Sequence, residues 1–320
     1  MKISIFLFVF IFLPNISPAK HIFVSNENSD TLTVIDKKDK KVVKTINTGG
    51  RPRDIKFSVD ESFLYIAASQ DDRIEILDTA SLKIVDYIET GDDPEIFDIN
   101  NKYNLIAVSN EDDNQLTLID LNTNKIIKTI EEVGVEPEGV NFSPNGELVF
   151  VTSEGTNSII VIDVIKQKII NEILVGNRPR RGIFVKNGSE YWVSNELSGS
   201  VSIIDVNKQN IIKTIFFEKP GIRKEDVTPV DFAYSKTKNI VFVTLGNANH
   251  VAAVDTDTHE VKNYILAGKR VWGAAISENE KELIVTNGNS DDVTVIDTTR
   301  MVAIKSIPVG RTPHSIKILK

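Results

Sequence analysis

The stretch TVID, residues 33–36, closes a run of apolar residues with an aspartate, and the same ending returns six times. It reads EILD at Asp78, TLID at Asp120, IVID at Asp163, SIID at Asp205, AAVD at Asp255 and TVID at Asp297. The spacings are 42, 42, 43, 42, 50 and 42 residues. A repeat of this length, built from short β-branched runs, is the pattern of radial blades with four strands each. Seven copies predict an all-β, seven-bladed propeller.

A second frame travels with the first. It falls at Pro52, Pro94, Pro137, Pro179, Pro229 and Pro313, with Val271 in the sixth place. After it, apolar residues or glycine alternate with other residues, as in Ile55 and Phe57 or Val140 and Phe142, which is the period of a strand. Runs such as FLYIAAS and LVFVTS follow, then the strand ending in aspartate, then a last strand such as KIIKTI. The runs are apolar on both faces, as expected where neighbouring blades cover each sheet. No segment has the 3.6-residue period that a helical solenoid needs. The repeated aspartate precedes short polar stretches, where a carboxylate accepts backbone N–H bonds and holds a tight turn.

The chain starts inside a unit. His21 to Ser25 reads as a second strand, and its missing first strand is Ser315 to Leu319 at the other end. Pairing these two closes the ring and removes the open edges of a sheet.

Residues 1–19 read as a secretory leader rather than as fold. Lys2 is followed by the apolar stretch Ile3 to Leu13 and by the small residues Ser17 and Ala19. The mature chain, residues 20–320, is expected to be one propeller domain, a periplasmic monomer with no membrane span. The absence of cysteine excludes disulfides, thiolate metal sites and covalent haem attachment. The formal charge of −8 argues against nucleic acid as a partner.

The frames diverge in a fixed order: GGRPR, DDPE, VEPEG, NRPRR, the long FEKPGIRKEDVTPV, KRVWG and RTPHS. With units such as FVSNENSDTLTVID, they resemble YVTN-type repeats, a WD-like class. As an ordered set they resemble the propeller proteins associated with pyrroloquinoline quinone (PQQ)-dependent catabolism. The resemblance covers the chain after the leader. It implies an exported accessory protein whose partner is a quinoprotein dehydrogenase or a transport component. No cofactor is expected in the chain itself, PQQ being the one that the resemblance suggests.

In a propeller, the diverging frames gather around the mouth of the central channel. After the proline the ring reads Arg53, Glu95, Glu138, Arg180, Val230, Trp272 and His314; before it stand Arg51, Asp93, Glu136, Arg178, Thr228, Arg270 and Thr312. Arg181 adds a third arginine to the fourth frame. Two readings stay open. The charges form a belt of ion pairs between blades, or they form a binding surface. Arginine forks suit carboxylates, and an exposed tryptophan beside arginine suits a hot spot. The binding surface would comprise Arg51, Arg53, Glu95, Glu138, Arg178, Arg180, Arg181, Arg270, Trp272 and His314. Its ligand would be a protein partner or a small anion.

Glu27, Glu111, Glu154 and Glu196 share one slot in four other loops. NEDDN at 110–114 is oxygen-rich enough for calcium, but it lacks EF-hand spacing and reads as a solvated turn in preference to a calcium site. The four histidines are scattered, with no HExxH and no GxSxG elbow. The expected function is therefore non-enzymatic binding in PQQ-dependent alcohol or related catabolism. The alternative is a cofactor-binding or enzymatic propeller, haem-binding or lactonase-like. The insertion Phe216 to Thr228 is expected to be an exposed functional loop.

Overall fold

The computed structural model describes residues 20–320; the leader expected at residues 1–19 lies outside them. Seven antiparallel sheets of four strands form the blades. Blade 1 orders Pro313–Ile318, His21–Asn26, Thr31–Asp36 and Val42–Asn47 from one edge to the other. The expected closure is present, with Val24 opposite Ile316 and Ile22 opposite Ile318. The first strands of blades 2 to 7 are Pro52–Phe57, Pro94–Asn100, Pro137–Phe142, Pro179–Val185, Phe232–Ser235 and Val271–Ile276.

Packing follows the repeat. The second strands are nearly all buried, as their unbroken apolar runs require. The fourth strands face solvent and bury one isoleucine each: Ile46, Ile88, Ile130, Ile173, Ile215, Ile265 and Ile307. Each closes a core shared by adjacent blades, at about 1.5–3 kcal/mol for a buried aliphatic side chain. First strands approach closely at the channel. A Cβ on Gly139 would stand 2.4 Å from the Arg180 carbonyl, and one on Gly273 would stand 2.4 Å from that of His314.

The repeated aspartates act as turn acceptors. Asp36 Oδ1 takes the N–H groups of Lys38 and Asp39 at 2.8 and 2.6 Å, and Asp297 Oδ1 takes those of Thr299 and Arg300 at 2.8 and 2.9 Å.

The insertion is exposed along much of its length, as expected, but apolar residues anchor it. Phe217 and Val227 are buried and, with Ile222, pack against Val201 and Val243. These hold it between blades 5 and 6, leaving Arg223, Lys224 and Glu225 outside. Its entry also shortens the first strand of blade 6 to four residues.

Candidate functional site at the channel mouth

Every first strand begins at the same mouth. Asn26 lies opposite Pro313, so the loop 27–30 stands beside the chain leading into that strand. The rim comes first. Arg51, Asp93, Glu136, Arg178, Arg270 and Thr312 all have left-handed backbones, with φ between 45° and 55°. Such a conformation is costly for these residue types and needs support.

A neighbouring loop supplies it. Asp30, Asp72, Asn114, Asn157, Asn249 and Asp291 each accept one rim N–H through Oδ1, at 2.9–3.1 Å. These acceptors are left-handed as well. In the remaining loop Gly199 takes their place, beside the Val227 carbonyl of the insertion. Sequence reading missed this brace, although an Asp or Asn recurs before each third strand except there.

Below the rim lies the expected ring, but it is interior. Arg53, Glu95, Glu138, Arg180, Trp272 and His314 are all buried. This corrects the expectation of an exposed ring and an exposed tryptophan. Each first strand dips into the channel two residues past the rim, so these side chains fill it.

The ion pairs run between blades. Arg53 pairs with Glu95 and, at 2.9 Å, with Glu27. Arg180 pairs with Glu154 and, at 3.1 Å, with Glu138. Burial pushes the Glu138 carboxyl up, but Arg180 and Arg53 outweigh it and hold it below the usual range. Burial wins at Glu95, which lies well above that range despite Arg53.

Hydroxyls in the second strands fix the ring's backbone. Ser25 donates to the Arg53 carbonyl, Ser109 to Glu138, Thr152 to Arg180, Ser194 to Val230 and Thr286 to His314, at 2.6–2.9 Å. Blade 2 has Ala67 in that place. This recurring Ser or Thr was visible in the sequence and unused.

Trp272 forms the other side. The Arg270 and Arg180 guanidinium carbons lie 4.6 and 5.7 Å from its ring centroid, and the His314 ring lies at 5.0 Å. Burial, with Arg53, Arg181 and Arg180 nearby, holds His314 well below the usual imidazole range, so the ring is neutral. Arg181 lies one residue deeper and bonds Asp231 at 3.0 Å. Arg51, Arg178 and Arg270 keep side-chain exposures of 32, 44 and 30%.

A group outside the expected set joins the rim. Glu111 is half-buried, and among the described residues its carboxylate has no hydrogen-bond or ion-pair partner. One of its oxygens and one each from Asp93 and Glu95 lie within 4.8 Å of one another. Burial, then Glu138, pushes Glu111 above the usual carboxylate range. Three carboxylates so placed match the donors of a cation site, but Arg51 already stands 3.3 Å from Asp93 and 3.4 Å from Glu95. In NEDDN, Asn110 bonds Thr117 and Asp92, and Asn114 braces Glu136, so Glu111 alone turns to the cluster. Its repeated slot was the legible signal; its lack of a partner was not.

A YNCE-like beta-propeller family model matches residues 16–190, and a 7-bladed lactonase beta-propeller model matches residues 134–301. Each spans more than half of the chain. No curated protein matches. Three solved structures are similar. Hydrazine synthase of Kuenenia stuttgartiensis is 18% identical, with a TM-score of 0.78 over 86% of this chain and 92% of that one. The periplasmic gluconolactonase PpgL of Pseudomonas aeruginosa is 16% identical, with 0.78 over 94% and 99%. Dihydro-heme d1 dehydrogenase NirN, in complex with DHE, is 15% identical, with 0.72 over 94% and 75%. These likenesses show the shared fold.

Proposed function

The chain belongs to the YNCE-like beta-propeller family and to the 7-bladed lactonase beta-propellers, and we propose that its mouth opens the ring of a small lactone. The carrying observation is Glu111: an unpartnered, half-buried carboxylate with a raised proton affinity, whose cluster neighbours Asp93 and Glu95 stand 3.3 and 3.4 Å from the part-exposed Arg51 guanidinium. A base held nearer neutral pH suits proton transfer. Arg51, joined to the same cluster through Asp93, supplies the positive charge.

Glu111 takes a proton from water as the water oxygen adds to the lactone carbonyl. Arg51 faces the oxyanion that forms. Collapse breaks the ring C–O bond, and Glu111 returns its proton to the leaving alkoxide. The products are one hydroxyl and one carboxylic acid on a single molecule, and the acid releases its proton to solvent. The buried pairs below the rim keep the two groups in place. The leader pattern would put this activity in the periplasm.

A partner-binding accessory role in quinoprotein catabolism is the second reading, and the exposure of Arg51, Arg178 and Arg270 favours it. A quinone tricarboxylate fits the deeper ring poorly, because Arg53 and Arg180 are already taken by glutamates. Hydrolysis of glucono-δ-lactone, followed by acid release in a pH-stat, tests the leading reading. A partner-binding scaffold would leave the spontaneous rate unchanged.

A further inference from the structure

The other end of the channel holds a separate cavity. Its inner chamber has a volume of about 70 Å³ and is lined by Asp54, Lys56, Arg181, Asp231 and Lys317. Phe232, Ala274 and Lys317 also line a wider vestibule of about 510 Å³ on the face away from the mouth. The vestibule's remaining wall sets the apolar Phe57, Ile276 and Ile318 beside the charged Glu61 and Lys320.

The chamber's charges are unevenly used. Lys56 pairs with Asp98 at 3.0 Å, and Arg181 with Asp231 at 3.0 Å. Asp54 Oδ1 accepts the Ser315 hydroxyl at 3.1 Å, but Oδ2 is buried without a hydrogen bond and lies 3.9 Å from Lys56. Among the described residues, the Lys317 ammonium has neither an ion-pair nor a hydrogen-bond partner. The half-buried Lys317 ammonium is thus free to take a partner, and Asp54 Oδ2 has only the distant Lys56 and no hydrogen bond, which is costly for a buried oxygen. Lys56, Arg181 and Lys317 balance Asp54, Asp98 and Asp231, so a ligand with net charge would upset the count.

We propose that this chamber binds a small zwitterion with an apolar substituent, the chemistry of an apolar α-amino acid. The ligand carboxylate meets Lys317, its ammonium meets Asp54 Oδ2, and its side chain lies in the vestibule against Phe57, Phe232 and Ile318. The site is independent of the mouth, because the His314 and Trp272 layer and Arg181 stand between them.

Calorimetric titration of the full chain tests this with L-leucine as the probe. Its two half-analogues, 4-methylpentanoate and 3-methylbutylamine, keep the apolar body and one charge each. Saturable binding of L-leucine is expected, with either analogue at least about tenfold weaker. Lys317→Met and Asp54→Asn should each weaken L-leucine by a similar factor, and Lys317→Arg should retain binding. No L-leucine binding, or an analogue that binds as tightly, would overturn the proposal. So would an unchanged affinity in Lys317→Met. If Asp54→Asn fails to fold, the analogues and Lys317→Met still decide the matter. Loss of lactone hydrolysis has no bearing on these outcomes.

Discussion

The Arg180 guanidinium lies 3.1 Å from the Glu138 carboxylate, and both side chains are buried. The pair joins blades 4 and 5 inside the channel. Removing Arg180 leaves buried Glu138 with only the more distant Arg53 and takes a partner from Glu154, at about 3–5 kcal/mol. Arg180→Ala should therefore lower the melting temperature strongly. Arg178→Ala, on the exposed rim, should cost about 1 kcal/mol or less. Urea denaturation of the two variants checks the contrast, and equal losses would contradict the layering.

The left-handed rim depends on its braces. Asn157 Oδ1 holds the Arg178 N–H at 2.9 Å. Asn157→Ala removes that acceptor and should cost about 1 kcal/mol. Arg178→Gly relaxes the strained backbone and should recover part of the loss in the double variant. Additive losses in a double-mutant cycle would count against the brace.

Ring closure rests on the last strand. Deleting residues 314–320 removes the buried His314, Ser315 and Ile316 and exposes the edge of His21–Asn26. Aggregation or a large fall in melting temperature is expected by light scattering and calorimetry. A melting curve like that of the full chain would contradict closure.

Much of this was legible in the sequence because it repeats. Asp36 and its six counterparts set the blade count, and His21 with Ser315 set the closure. The pattern of two acids, Glu95 and Glu138, flanked by Arg53 and Arg180 was also visible, but its depth was not. Whether a residue beside a proline points outward or into the channel depends on the backbone dip at the rim. That dip comes from Asp30, Asn157 and their equivalents, each held on another blade. Glu111 was seen as one of four equivalent acids. The other three meet arginines, and only the assembled ring shows that Glu111 does not. Lys317, in the closing strand, gave no sequence signal for the far chamber, whose other charges come from distant blades.

Acid should loosen the blades through their turns. Hydrogen bonds within the turns, led by the Asp39 N–H at Asp36, the Lys208 N–H at Asp205 and the Arg300 N–H at Asp297, hold these carboxyls below their ordinary value. A depressed folded value means stability present above the unfolded aspartate range and lost as pH falls through the folded values. Replacing Asp36, Asp205 and Asp297 together by Asn should flatten the acid limb of the melting profile. An acid limb equal to that of the unmodified chain would contradict this.

The most direct measurement is the rate of glucono-δ-lactone opening in a pH-stat, with the unmodified chain and with Glu111→Gln. The unmodified chain should exceed the spontaneous rate, with a rising pH limb set above the ordinary carboxylate range by the burial of Glu111. Glu111→Gln should lower kcat by about 10²–10⁴-fold with little change in melting temperature. A rate no faster than buffer, or full activity in Glu111→Gln, would contradict the assignment of the mouth as a hydrolytic site.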